Sequence, residues 1–212
     1  MAEINFYNID CIEFMKTKPD NHYDLAIVDP PYGIDLANMN MGIGNTPKAS
    51  KIKNRKWKAK DWDKEIPSKE YFLELKRVSQ NQIIWGGNYF DLGNCGKFII
   101  WDKKIPKGLS FSDCEYAWTS FFGANKMFRY SAYLDKLNKT HPTQKPKDLY
   151  RWILKNYAKD GNKILDTHGG SMSIALACDM ENFDLDICEI DIEYFETGKK
   201  RYNEFKQQVT MF

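Results

Sequence analysis

Residues Leu25-Ala26-Ile27-Val28 run apolar without a break and stop at Asp29-Pro30-Pro31-Tyr32-Gly33. A short apolar run closed in this way reads as a strand buried on both faces. It cannot continue through the prolines. Proline has no N–H to give a neighbouring strand, fixes φ, and restricts the residue before it. The chain must leave the sheet here through a stiff turn rich in acceptors and poor in donors. Asp29 offers a carboxylate, Pro30 a carbonyl, and Tyr32 a face on which a base can stack. Such a turn suits a flat, amino-bearing ring held while its nitrogen is alkylated.

A strand of this kind needs covering layers, and 212 residues are enough for one domain with a real core. At 42% hydrophobic and 15% aromatic residues the chain is globular rather than disordered. No apolar run is long enough to span a bilayer, so no membrane partner is expected. Met1-Ala2-Glu3-Ile4-Asn5 lacks the basic and apolar regions of a signal peptide. Cys11, Cys95, Cys114, Cys178 and Cys188 form no CxxC pair, which points to reduced thiols in a cytoplasmic protein and to no metal site.

Strand and helix patterns alternate along the chain. Strands are expected at Ile4–Ile9, Tyr23–Val28, Gln82–Trp85, Phe98–Trp101, Tyr116–Phe122, Lys163–Leu165 and Leu185–Cys188. Short helices are expected at Cys11–Met15 and Ile174–Asp179. Ser68 can cap a helix carrying Tyr71, Phe72, Leu75 and Val78 at helical spacing. A helix over Lys147–Tyr157 places Leu149, Trp152, Ile153, Asn156 and Tyr157 on one side. The last helix, Ile192–Lys206, turns Phe195, Tyr202 and Phe205 inward. This order implies an α/β fold, a parallel or mostly parallel sheet with helices on both faces.

Ligands of such sheets sit beyond the carboxyl ends of the strands. Leu165 is followed by Asp166-Thr167-His168-Gly169-Gly170-Ser171-Met172-Ser173, a glycine-bearing strand-to-helix turn that lets a ligand approach the backbone. No Walker lysine follows, and the GxGxxG spacing is missing, so neither a nucleotide phosphate nor a dinucleotide is favoured. Glu189 ends the next strand, where an acid can bind ribose hydroxyls, and Asp10 ends the first and could read an adenine edge. A ribose-binding acid without a phosphate site fits S-adenosylmethionine.

Taken in order, the pieces resemble the amino-group DNA methyltransferases of the permuted β class. The matching segments are Asp29-Pro30-Pro31-Tyr32, Trp85 to Phe90, Trp101-Asp102-Lys103, His141-Pro142-Thr143-Gln144-Lys145-Pro146, Asp166 to Ser173, and Glu189. Compact size and the Trp85–Phe90 segment are similar to short phage or prophage members. The resemblance implies a Rossmann-like methyltransferase sheet with circularly permuted motif order, and methyl transfer from S-adenosylmethionine to an exocyclic amine in double-stranded DNA. It implies that Asp29, Pro30, Pro31 and Tyr32 carry the chemistry. Asp10, Cys11, Asp29, Lys145, Asp166, His168, Gly170, Ser171, Glu189 and Ile190 would hold the cofactor, with Lys145 near its methionine end. Tyr32, Asn88 and Phe90 would form the base pocket. Aspartate rather than serine in the first position of the DPPY motif favours N6 of adenine over N4 of cytosine.

The chain departs from the family's Asp-Pro-Phe-x-Gly-Ser-Gly loop at Thr167, His168 and Met172. Met172 adds a side chain where the backbone should approach the cofactor, and methionine is costly there if φ is positive. Two classes therefore stand side by side: an active enzyme, and a non-catalytic, methyltransferase-like DNA-binding subunit.

The chemistry needs no matched general base. The adenine N6 lone pair is delocalised; two acceptors on its N–H groups can pull the nitrogen towards tetrahedral geometry. In-line positioning then supplies on the order of 7–11 kcal/mol. Asp29 is expected to be an ionised acceptor and positioner. The target base must be flipped out of the duplex, with Tyr32 catching it.

For DNA contact, Lys48, Lys51, Lys53, Arg55, Lys56, Lys58 and Lys60 follow one another with no acid among them, and Trp57 lies inside the run. They fall in a polar stretch, residues 34–66, expected to form a mobile basic loop that grips phosphates without reading sequence. Residues 103–140, with Lys103, Lys104, Lys107, Lys126, Arg129, Lys136 and Lys139, are the natural place for a small target-recognition region within a single methyltransferase domain over 1–212. Short recognition, a homodimer or a partner subunit would compensate for the absence of a separate recognition domain.

Overall fold

A computed structural model describes residues 2–34, 63–106, 112–132, 139–141 and 143–210. Among them the strands are β1 (Ile4–Tyr7), β2 (Tyr23–Val28), β3 (Ser79–Trp85), β4 (Lys97–Asp102), β5 (Cys114–Thr119), β6 (Lys126–Arg129), β7 (Lys163–Asp166) and β8 (Asp184–Cys188). The helices are α1 (Cys11–Lys16), α2 (Lys69–Val78), α3 (Lys147–Tyr157), α4 (Ser173–Glu181) and α5 (Ile192–Thr210). The strands form one sheet in the order β1-β8-β7-β2-β3-β5-β4-β6.

From β1 to β3 all pairings are parallel, and β4 and β6 are parallel as well. β5 runs antiparallel to both β3 and β4. The sheet is thus mostly parallel with one reversed strand, which periodicity cannot reveal because parallel and antiparallel strands share the same two-residue repeat.

β2 lies inside the sheet, and its alternation feeds two cores. Leu25 and Ile27 join a cluster with Leu149, Ile153, Leu154 and Ile174 from α3 and α4. Ala26 and Val28 join the opposite cluster with Phe14, Met15, Tyr71, Leu75 and Val78 from α1 and α2. Ser68 caps α2, its hydroxyl accepting from the Tyr71 N–H at 3.3 Å. Phe195 and Tyr202 of α5 are buried, with Phe205 packed beside them.

Some expectations need correction. β1 stops at Tyr7, not Ile9, because Asp10 is committed to starting α1: its Oδ1 accepts from the Ile12 and Glu13 N–H groups at 2.8 and 3.0 Å. Asn156 of α3 is exposed; Tyr150 and Leu154 take the buried positions. β6 was not foreseen, because its exposed lysine and arginine ends hide the pattern. Residues 103–140 supply β5, between β3 and β4, and the edge strand β6, while Lys107 and Lys136 lie outside the described residues. The basic run Lys48–Lys60 also lies outside them.

Met172 has φ of 55° and ψ of 29°, left-handed backbone, immediately before α4. Its side chain is fully buried. A β-carbon on Gly169 would lie 2.7 Å from Met172 Sδ, and one on Gly198, within α5, would overlap Met172 Cγ. The two glycines make the slot that the methionine fills. A helix-interior glycine costs about 1 kcal/mol against alanine. Here the missing β-carbon is space already taken. Gly198→Ala is therefore expected to destabilise the protein by about 1–3 kcal/mol in denaturant unfolding, despite the gain in helix propensity. The loss should be largely relieved in a Met172→Gly background. Additive single-mutant effects would show that the two residues are not coupled.

Candidate active site

The turn after β2 is held from three sides. Asp63 is buried, and its Oδ1 accepts from the Tyr32 N–H at 2.7 Å and the Gly33 N–H at 3.0 Å. These are the first donors after the two prolines, so Asp63 takes the few that the turn has. The Tyr32 hydroxyl donates to Asp29 Oδ1 at 2.6 Å. Lys145 Nζ sits 2.5 Å from Asp29 Oδ2.

Lys145 has little contact with solvent, and its position is explained by a second acid. Glu115, on β5, brings Oε2 to 3.1 Å from the same Nζ, and its Oε1 lies 3.3 Å from Lys103 Nζ. Lys145 also donates to the Tyr32 hydroxyl at 3.3 Å and lies over the Trp85 ring at 5.1 Å. Two carboxylates and two ammoniums thus balance in one row, half-buried around the buried Lys145. Burial works against the Lys145 charge, but Asp29 and Glu115 outweigh it and hold its ammonium above the usual range. Burial likewise pushes Glu115 up, and Lys145 and Lys103 bring it below the ordinary carboxylate range. Burial dominates at Asp29, whose carboxyl stays raised against the pull of Lys145. The burial penalty on each charge is the reason the row must be complete.

The second half of the site lies at the ends of β7 and β8. Asp166 is buried and accepts the His168 N–H at 3.0 Å. Among the described residues no cation pairs with it, and desolvation pushes its carboxyl up to about 8. Glu189 accepts from the Gly170 N–H at 2.7 Å and the Asp191 N–H at 2.8 Å. Gly170 has φ of 47°, left-handed backbone that favours glycine in the turn between Asp166 and α4. The replaced loop residues have a local partner: Tyr71 Oη is 2.7 Å from Thr167 Oγ1, which is 2.9 Å from His168 Nδ1. Burial lowers the His168 imidazole to about 4, so it is neutral. Ser171 Oγ lies 3.0 Å from Ser173 Oγ. Burial pushes the Cys11 thiol up to about 12, and Ile190 is exposed.

The Trp85–Phe90 segment reaches the same turn from β3. Phe90 meets the Tyr32 ring edge at 6.2 Å, Asn88 is exposed, and Tyr89 stacks on Tyr32 with centroids 4.9 Å apart and planes 12° apart. The structure therefore gathers Asp29, Pro30, Tyr32, Lys145 and Phe90 around one turn, and Asp166, His168, Gly170 and Glu189 around the neighbouring strand ends. Lys145 pairs with Asp29 rather than standing apart from it. Sequence reasoning missed Glu115, Asp63 and Tyr89. The first two are acids outside any of the matched segments; Tyr89 lies between two residues that were singled out.

Comparisons with known proteins agree with this geometry. The N6_N4_Mtase family model, described as DNA methylase, matches residues 84–200. Type II methyltransferase M2.MboI of Moraxella bovis is 27% identical across 97% of this chain and 92% of its own. Type II methyltransferase M.HpaI of Haemophilus parainfluenzae is 34% identical across 91% of this chain and 72% of its own. Among solved structures, the M1.HpyAVI–SAM complex aligns with a TM-score of 0.59 at 22% identity, covering 93% of this chain and 99% of that one. The PvuII cytosine-N4-specific DNA methyltransferase aligns with a TM-score of 0.60 at 15% identity, covering 94% and 86%. At those identities the two structures speak for a shared fold, while the family model and the M.HpaI match span enough of the chain to place it: it belongs to the N6/N4 DNA methylases, the amino-group DNA methyltransferases.

Proposed function

We propose that the chain methylates the exocyclic amine of a base flipped out of double-stranded DNA, using S-adenosylmethionine, and that the base is adenine, modified at N6. The observation that carries this reading is the Asp29 carboxylate, held at the end of β2 by Lys145 and the Tyr32 hydroxyl. The Asp-Pro-Pro-Tyr form of the turn supports adenine. The burial of Met172 against Gly169 and Gly198 supports the catalytic reading over the non-catalytic one.

The residues present fit the cofactor. Asp166 is a buried carboxylate with no ion pair among the described residues, so a ligand amine is its natural partner. Glu189 accepts a backbone N–H on each oxygen and stands at the end of β8, where an acid can bind ribose hydroxyls. Asp10, whose Oδ1 caps α1, and Ile190 stand by the same strand ends. When bound, S-adenosylmethionine supplies an electrophilic methyl group on its sulfonium.

The chain's own work is positioning. Asp29 Oδ1 accepts from Tyr32 and retains a lone pair for an amine N–H. The Pro30 carbonyl can take the second N–H. Lys145 and Glu115 fix the Asp29 side chain in one orientation. Tyr32, backed by the buried Phe90, receives the base. Once the nitrogen carries a methyl group it must lose a proton, and the raised Asp29 carboxylate is a suitable acceptor.

Sequencing of genomic DNA from cells expressing the protein, with modified bases detected, is expected to find N6-methyladenine at a short motif and none with Asp29→Ala. N4-methylcytosine would overturn the choice of base. No modified base together with no cofactor binding would overturn the reading. For Asp166, a carboxyl near 8 in the free protein is protonated at pH 7 and must ionise to pair with an amine. Calorimetry in buffers of different ionisation enthalpy should therefore detect release of close to one proton on S-adenosylmethionine binding at pH 7, fading above pH 8. Asp166→Asn should release none and bind about ten-fold more weakly or worse. For the basic run, neutralising Lys51, Lys53 and Lys56 should lower the slope of log affinity against log salt by up to about 3. An unchanged slope removes them from the DNA contact.

A further inference from the structure

The face of Tyr32 on which a base would stack is already covered. Tyr89 lies parallel on it, 4.9 Å between centroids and 12° between planes. Near-parallel stacking is an arrangement that aromatic side chains and nucleobases share, so the ring occupies the kind of position a base would take. The rest of the Tyr32 ring is enclosed. A β-carbon on Gly86 would overlap its Cδ1–Cε1 side, and Gly86 has φ of 70°, so the backbone is pressed against the ring there. Phe90 closes an edge, and Lys145 and Asp29 hold the hydroxyl.

Tyr89 itself is loosely held. It is 43% exposed, so the face it covers is the one reached from solvent. Its hydroxyl makes no hydrogen bond among the described residues, and its N–H closes a turn onto the Gly86 carbonyl at 2.8 Å. The backbone of the turn is fixed, while among the described residues the ring is held by its stack on Tyr32.

We propose that Tyr89 stands in for the target base: in the free protein it fills the stacking position on Tyr32, and it must leave that position for a base to enter. The inference rests on the reading of Tyr32 as the base platform. Nucleobases stack on aromatic side chains at least as strongly as two side chains stack on each other, so an arriving base can displace Tyr89. The exchange keeps the platform covered in both states and makes entry of a base a competition. Tyr89 therefore sets how tightly a base is held, and a base that stacks poorly loses more than it would on an open ring.

The test uses 2′-deoxyadenosine and 2′-deoxycytidine, which have no phosphate, titrated by NMR into the full chain with S-adenosylhomocysteine filling the cofactor site. Tyr89→Ala is expected to tighten binding of the preferred nucleoside by about two- to twelve-fold, the range spanned by an aromatic stack. Tyr89→Phe keeps the ring and should bind like the parent chain. In a Tyr32→Ala background, Tyr89→Ala should have no effect. If Tyr89→Ala leaves binding unchanged or weakens it while Tyr32→Ala weakens it too, Tyr89 is a wall of the pocket and the inference fails alone. If Tyr32→Ala leaves binding unchanged, the base platform is elsewhere, and both the reading of Tyr32 and the inference fail. Thermal melting of each variant separates loss of binding from loss of fold.

Discussion

Lys145 is an ammonium almost wholly withdrawn from water, and the site is arranged around that fact. Taking such a charge out of solvent costs several kcal/mol, which only close opposite charges can offset. Asp29 and Glu115 do so at 2.5 and 3.1 Å, and Lys103 balances the second acid. The four groups come from the end of β2, from β5, from the segment before α3 and from the end of β4. The row therefore ties the turn after β2 to the reversed strand and to the segment before α3. Removing one member strands the charge of its neighbour, a loss of about 3–5 kcal/mol in comparable buried networks. The same requirement keeps Asp29 in one orientation, as a group that positions an amine must be.

Much of this was legible in the sequence, for identifiable reasons. β2 declared itself because nothing but a doubly covered strand explains Leu25 to Val28 before two prolines. α2 was legible from its cap and from Tyr71, Phe72, Leu75 and Val78. The strand-end rule found Asp166 and Glu189 together, since a parallel sheet brings consecutive strand ends to one side. The unseen parts depend on pairing across the chain. Glu115 is an ordinary acid on a strand until β5 is laid antiparallel between β3 and β4, which turns it towards Lys145. Asn156 sits at helical spacing from Trp152 and Ile153, yet the face of α3 that meets the sheet is centred on Leu149, Ile153 and Leu154. Tyr89 could not be told from Asn88 and Phe90 by sequence, because stacking on Tyr32 depends on how the turn after β3 closes.

The cofactor loop shows how a rule-breaking residue is accommodated. Left-handed backbone at a methionine costs on the order of 1 kcal/mol or more. That cost is offset because the side chain is buried in a slot bounded by Gly169 and Gly198. Thr167 and His168 are likewise held by Tyr71 from α2. The loop differs from the family pattern in residues but keeps a buried acid at its start.

Asp63 bonds to the N–H groups of both Tyr32 and Gly33, so the two ends of the stretch between Gly33 and Asp63 are pinned together by the fold itself. Two hydrogen bonds to one buried carboxylate thus hold positions thirty residues apart in sequence side by side in space. The two prolines leave the turn few donors of its own, so its shape is completed by a residue from well beyond it. A turn closed this way depends on a distant part of the chain, and losing the Asp63 carboxylate would leave both N–H groups without that acceptor.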